Sequence, residues 1–243
     1  MKNFIILTTP RTGSTWLGTL LDSHPDIIVH GELFLPYDVP DKYKELRRHD
    51  PHKFFRYRMD EKSFRPWATW KYLDYALSYH NDKHSAFKLM AWPLIKHLEI
   101  LLYIKKHKIP VIYLKRSLKD RVLSYAIAEK TGSFHKLSEE YEEKTPKTEE
   151  KVTINPIFTK KIAKKHRFFD FWLKILTKTI KKHVLTVNYN DLEHNTGKEL
   201  VKIYNFLGLS AVAGDSPIEK TSTRNYDDLI ENYDEAMKVI GER

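Results

Sequence analysis

Two groups of residues in this chain have the types and spacing to hold an oxyanion. The first is Thr8-Thr9-Pro10-Arg11-Thr12-Gly13-Ser14-Thr15-Trp16, where an apolar run enters a short loop and an apolar helical pattern follows. A glycine-bearing turn that opens a helix aims several unpaired backbone N–H groups at one spot, with the positive end of the helix dipole behind them. Ser14 and Thr15 add hydroxyl donors in the first turn, and Arg11 adds a planar charged fork. The plainer alternative is that Ser14 only caps the helix and Arg11 is a surface charge. The second group is Arg116, at a predicted strand end, and Ser124, roughly 80° further round a helix at 100° per residue. The two side chains could grip a second phosphate, or mark an exposed helix start with a buried small residue.

The Gly-x-x-x-x-Gly-Lys-Ser/Thr cradle of triphosphate enzymes fails here, because the loop has no lysine before Ser14. Such enzymes place that lysine on the β- and γ-phosphates and the hydroxyl on magnesium. No predicted strand ends in a plain metal-binding aspartate either, which weakens a triphosphate reading. A P-loop kinase or nucleoside phosphotransferase stays as the alternative reading.

The elements that must position these residues follow from the hydrophobic periods. Residues 3–8 read as a buried strand and 14–23 as the next helix. Residues 27–29 form a second strand ending at His30-Gly31-Glu32. Residues 35–68 have no clean period and read as an irregular, acceptor-side excursion. A helix over 70–79, a strand over 85–90, a helix over 94–106, a strand over 110–114 and a helix over 118–130 come next. Residues 131–155 are rich in Glu, Lys, Thr and Pro and read as a mobile charged loop. A long amphipathic helix starts at Pro156, a strand covers 184–187, and helices cover 200–207 and 227–240. Strands alternating with helices predict one domain over 1–243, an α/β three-layer sandwich with a mainly parallel sheet. In such sheets ligands gather at the carboxyl ends of strands, where loops 8–15, 30–34, 88–92, 115–124 and 188–192 fall.

Composition narrows the partners. The chain has 243 residues, 41% hydrophobic, enough for a substantial core. Without cysteine there is no disulfide framework, thiolate metal site or thiol nucleophile. The apolar start is too short for a signal peptide and no run reaches bilayer length, so a cytoplasmic protein without a transmembrane segment is expected. A formal charge of +10 favours anionic partners. Lys160-Lys161, Lys164-Lys165 and Lys181-Lys182 read as the wet face of the long helix, and no nucleic-acid motif accompanies them, so no nucleic-acid partner is expected. A basic binder of nucleic acid or membrane surface is the third reading.

Taken together, Pro10 through Leu17 with Leu21-Asp22-Ser23-His24-Pro25-Asp26, and Val111 through Ser124, resemble the sulfotransferases that use 3′-phosphoadenosine 5′-phosphosulfate (PAPS), especially the bacterial and carbohydrate branch. Phe87-Lys88-Leu89-Met90, Val187-Asn188-Tyr189-Asn190-Asp191-Leu192 and Phe206-Leu207-Gly208-Leu209 resemble further landmarks. The resemblance implies a P-loop-like fold, PAPS as cosubstrate and the bisphosphate PAP as product, and no metal. It implies that Arg11, Thr12, Gly13, Ser14, Thr15 and Trp16 form the 5′-phosphosulfate loop and Arg116 with Ser124 the 3′-phosphate element. Many members carry lysine where this chain has Arg11; arginine is usual in the carbohydrate branch. The reaction implied moves a sulfuryl group in line to an acceptor hydroxyl, on a carbohydrate or glycolipid. Glu32 is then the candidate base, with His30 as the alternative. Arg11 would stabilise the leaving phosphate, and Lys88 would assist at the sulfuryl group or simply be a strand-end lysine. Lys220 and Arg224, around three hydroxyl residues, would close over the nucleotide or sit in a solvated loop. Phe34, Tyr37, Trp67 and Trp70 could line the acceptor pocket or pack in the core.

Overall fold

The computed structural model describes residues 3–34, 66–78, 82–132, 136–137, 151–216, 218–219 and 225–241. Its centre is a five-stranded sheet of β1 (Phe4–Thr8), β2 (Ile27–Glu32), β3 (His84–Met90), β4 (Val111–Lys115) and, later in the chain, β6 (Val184–Asn188). The order is β2-β3-β1-β4-β6 and every pairing is parallel. β1 is buried along its whole length, which is why it reads as an unbroken apolar run rather than an alternation.

Alternate residues of each strand feed opposite layers. On one face Phe4, Ile6, Ala86 and Ile112 pack on α1 (Ser14–Asp22) and α8 (Thr196–Leu207). On the other, Ile5, Leu7, Phe87 and Leu89 pack on α2 (Pro66–Ser78), α4 (Leu98–His107) and α6 (Pro156–Thr179). This is the three-layer α/β sandwich expected. A further apolar cluster joins α5 (Leu118–Thr131) and α6 to α10 (Tyr233–Ile240) through Val122, Leu123, Ala163, Ala236 and Ile240. The chain runs from β1 out to β2, returns through β3, and then crosses to β4, so the switch in direction lies at β1, where the opening loop emerges.

Three elements differ from expectation. The helix expected over 94–106 is α3 (Ala91–Lys96) followed by α4, broken at His97. There the backbone leaves helical geometry and the buried His97 and Glu99 side chains meet at 3.1 Å, while Thr69 Oγ1 donates to the same Glu99 oxygen at 3.1 Å. The helix expected over 70–79 already starts at Pro66, where a proline in the first turn costs no hydrogen bond, so residues 66–68 belong to it and not to the excursion. The last helix is split into α9 (Tyr226–Leu229) and α10, because Ile230 leaves the helix to bridge Val152.

Within the charged stretch 131–155, β5 (Lys136–Leu137) pairs antiparallel with β7 (Ile218–Glu219), and Ile154 is buried. Residues 133–135 and 138–150 of that stretch, and 35–65 of the excursion, lie outside the described residues. The remaining helix, α7 (Tyr189–His194), follows β6 directly. Among the described residues no helix is long and apolar enough to cross a membrane.

Candidate active site

The loop after β1 holds two residues in the left-handed region, Arg11 at φ 63° and Gly13 at φ 81°. Such alternation turns successive N–H groups inward to form an anion-sized concavity. The Thr12 hydroxyl is buried, lies against Thr8 Oγ1 and donates to the Thr9 carbonyl at 2.8 Å, so it closes the loop from within. Gly13 is the N-cap of α1, no side chain caps that helix, and its first turn carries no acidic residue. The first-turn N–H groups are thus left for another acceptor. Tyr189, at the start of α7, presses its ring on Gly13: a Cβ there would lie 2.4 Å from the ring. Trp16 meets the same ring edge-on at 5.9 Å.

Arg116, just past β4, lies over the other side of this corner. Its guanidinium sits 4.1 Å from the Tyr189 ring centroid, Nη1 donates to the Arg11 carbonyl at 3.3 Å and Nη2 to Tyr226 Oη at 3.3 Å. Its buried Nε has no hydrogen-bond partner among the described residues. Tyr226 Oη in turn donates to the Asp120 carbonyl at 3.2 Å. Burial pushes the Tyr189 phenol up to about 12 against the opposing pull of Arg116, and burial likewise raises Tyr226, so both stay neutral donors at physiological pH. Ser124, on the next turns of α5, accepts from Arg11 Nε at 3.0 Å. The two oxyanion groups of the sequence therefore meet, through adjacent strands β1 and β4.

Glu32 and Lys88 are brought together by a β-bulge. His30 pairs with Phe87 and Glu32 with Lys88, so Gly31 is the extra residue of β2. Without the bulge His30 and Glu32 would share a face; with it, His30 stays fully buried beside Phe87 while Glu32 joins the face of Lys88. Lys88 Nζ lies 3.4 Å from Glu32 Oε1 and donates to Thr15 Oγ1 at 3.1 Å. Glu32, Lys88 and the first turn of α1 form one chain of contacts.

Arg121, His166 and Asp170 are absent from the candidate residues the sequence supplied. This buried arginine donates from Nη1 to Thr9 Oγ1 at 2.7 Å, from Nε to the Arg116 carbonyl at 3.1 Å and from Nη2 to Asp170 Oδ2 at 2.5 Å. His166 Nδ1 lies 3.0 Å from Nη1 and can only accept, so the ring is neutral. Burial first, then Arg121 and Lys165, push His166 down to about 3. One side chain of α5 thus ties the loop after β1 and the Arg116 backbone to α6. A cation in the middle of a buried helical face, followed directly by Val122 and Leu123, is the only trace this leaves in the sequence.

Of the aromatic candidates, Phe34 is buried against Tyr72 and Phe87, Trp70 packs on Tyr103 and donates to the Glu99 carbonyl at 2.9 Å, and Trp67 is exposed. Tyr37, Lys220 and Arg224 lie outside the described residues.

Comparison with known proteins supplies the family. A structure of a sulfotransferase from Alicyclobacillus acidocaldarius matches 94% of this chain and 88% of that chain at 13% identity, with a TM-score of 0.50. A mouse sulfotransferase crystallised with PAP matches 98% of this chain and 62% of that chain at 18% identity, TM-score 0.48. Nodulation protein H of Rhizobium tropici is 46% identical over 46 residues, which is 19% of this chain and 18% of that protein. The family model described as the sulfotransferase domain matches residues 1–240, and the chain belongs to that family.

Proposed function

We propose that this protein transfers the sulfuryl group of PAPS to a hydroxyl of a carbohydrate or glycolipid. The observation that carries the reading is the meeting of two cationic anion seats, Arg11 on Ser124 at 3.0 Å and Arg116 on the Arg11 carbonyl at 3.3 Å, beside the uncapped start of α1. A donor with phosphate at both ends of its ribose needs two such seats, whereas a linear triphosphate needs one cradle with a lysine. The buried, left-over Nε of Arg116 and the ring-packed Gly13 fit a site shaped for a nucleotide.

When bound, PAPS supplies an electrophilic sulfur with a bisphosphate leaving group. The backbone N–H groups of residues 13–15 and Arg11 would hold the 5′ end and offset the negative charge that grows there as the S–O bond breaks. Arg116 and Ser124 would hold the 3′-phosphate. Glu32 would accept the proton of the acceptor hydroxyl as that oxygen attacks. Lys88, between Glu32 and Thr15, would keep the carboxylate oriented and share the charge of the transferring group. The carbohydrate class rests on the resemblance in sequence, in which Arg11 and a carboxylate at this strand end are features of that branch.

The test is sulfur-labelled PAPS offered against glycan and metabolite extracts, with wild type and Glu32→Gln. Label should move to a saccharide-containing product with wild type only. Transfer at the wild-type rate by Glu32→Gln would remove Glu32 as the base and leave His30.

A further inference from the structure

The outer face of α6 is unlike an ordinary solvated helix face. Its buried side carries Ile162, His166, Phe169, Leu173 and Leu176. On the opposite side Phe168, Phe171 and Ile175 are 46%, 59% and 40% exposed, and Ile157, three turns earlier, is 82% exposed. At 100° per residue these four fall within an arc of about 60°. The crest is shaped: the Phe168 and Phe171 rings both meet Trp172, at 6.2 and 5.9 Å. Exposed lysines flank it on both shoulders, Lys161 and Lys165 on one, Lys160 and Lys178 on the other, with Lys164 on the crest itself. The helix has seven cations and a single carboxylate, Asp170, which is held by Arg121 on the inner side.

We infer that this face docks on an anionic membrane surface, with Phe168, Phe171 and Ile175 entering the headgroup boundary and the lysines meeting acidic lipid. An apolar crest between cationic shoulders is the pattern of a helix lying in the interface plane. A second copy of the chain would set these lysines against their own images, and duplex nucleic acid would meet the lysines but offer no apolar phase to the crest. The inner face of α6 reaches the donor loop through His166, Asp170, Arg121 and Thr9, so docking would hold that loop about one helix diameter from the lipid. The inference is independent of the acceptor class and of the donor assignment.

The test is co-sedimentation of the full chain with vesicles of phosphatidylcholine alone or with roughly one-third phosphatidylglycerol. Two variants accompany it, Phe168→Ser/Phe171→Ser/Ile175→Ser and Lys160→Glu/Lys164→Glu/Lys178→Glu. All six positions are exposed, and circular dichroism with the melting shift caused by PAP reports folding and the donor site separately. Wild type should bind the anionic vesicles, leave them at high salt and ignore phosphatidylcholine. Each variant should lose at least tenfold in partitioning while its PAP response is unchanged. Wild type that stays in solution with anionic vesicles at low salt would overturn the inference, as would equal binding by both variants. A concentration-dependent rise in mass by light scattering, abolished in the apolar variant, would assign the face to a second copy instead. Salt-sensitive DNA binding lost in the lysine variant, without vesicle binding, would assign it to nucleic acid.

Discussion

Gly13 and Tyr189 are in direct contact, so close that a Cβ at residue 13 would sit 2.4 Å from the tyrosine ring. Because Arg116 stacks on the same ring at 4.1 Å, the contact sets the distance between the start of α1 and the second cation. The backbone at Gly13 is also left-handed, at φ 81°. Two separate physical demands therefore fall on one residue, and both serve the corner where the proposed anion seats meet.

Gly13→Ala should pay for both. The ring must move, taking Arg116 with it, and the left-handed backbone is strained by a side chain. A stability loss of about 2 kcal/mol is expected by urea unfolding, together with loss of PAP binding by calorimetry. Gly197 is the contrast: it lies in the first turn of α8 with no atom near its added Cβ, so Gly197→Ala should gain about 0.5 kcal/mol and leave PAP binding alone.

Arg121 is the buried hub behind the loop, and removing it leaves the Thr9 hydroxyl, the His166 ring and Asp170 without their shared donor. Arg121→Met should lose about 3 kcal/mol, toward the lower end for a broken buried ion pair because Asp170 is partly exposed. An unfolding midpoint equal to wild type would contradict the hub role.

His166 gives the same network a pH signature. Its pKa is lowered from 6.5 to about 3 in the folded protein, so between those values the unfolded chain holds the extra proton. Stability must therefore fall as pH drops below about 6.5, by up to roughly 1.4 kcal/mol per unit from this group. In His166→Asn the amide oxygen can still accept from Arg121 but nothing titrates. Unfolding measured between about pH 7 and pH 5 should show a shallower slope for the variant than for wild type. Parallel slopes would mean that His166 is not held neutral.

Variants at Glu32 and Lys88 test the proposed separation of binding from chemistry. Glu32→Gln should keep the PAP-induced melting shift and lose turnover by roughly 100-fold or more, the scale of a lost general base. Lys88→Met would free the carboxylate from its 3.4 Å partner and should lower turnover while leaving the 3′-phosphate seat intact. Equal kcat in both variants and wild type would remove this pair from the chemistry.

The strand, loop and helix at the start of the chain were legible because their signals are local. An apolar run, a glycine turn and an amphipathic pattern follow each other within residues 3–23. Arg116 and Ser124 stood out for the same reason, since both lie on one strand end and its helix, but the hydrogen bond that Ser124 accepts comes from Arg11, 113 residues away. The Gly31 bulge was not, because a register shift is a relation between β2 and β3 that neither segment encodes alone. The break at His97 hides in a sequence whose apolar spacing runs on unbroken, and it coincides with buried contacts of Glu99 to His97 and to Thr69 on α2. Arg121 eluded the reading because its partners stand 112, 45 and 49 residues away. The exposed crest of α6 shows the converse: the period assigned Phe168 and Phe171 to a helix, but only packing shows that nothing in the described fold covers them.

The central claim is that Arg11 and Arg116 form two seats for a 3′,5′-bisphosphate. Melting of the protein with and without PAP tests it most directly. At a concentration 100 times Kd the expected stabilisation is about 2.7 kcal/mol, a rise of roughly 5 °C or more, absent in Arg11→Ala and Arg116→Ala. A wild-type melting curve unmoved by millimolar PAP would contradict the account.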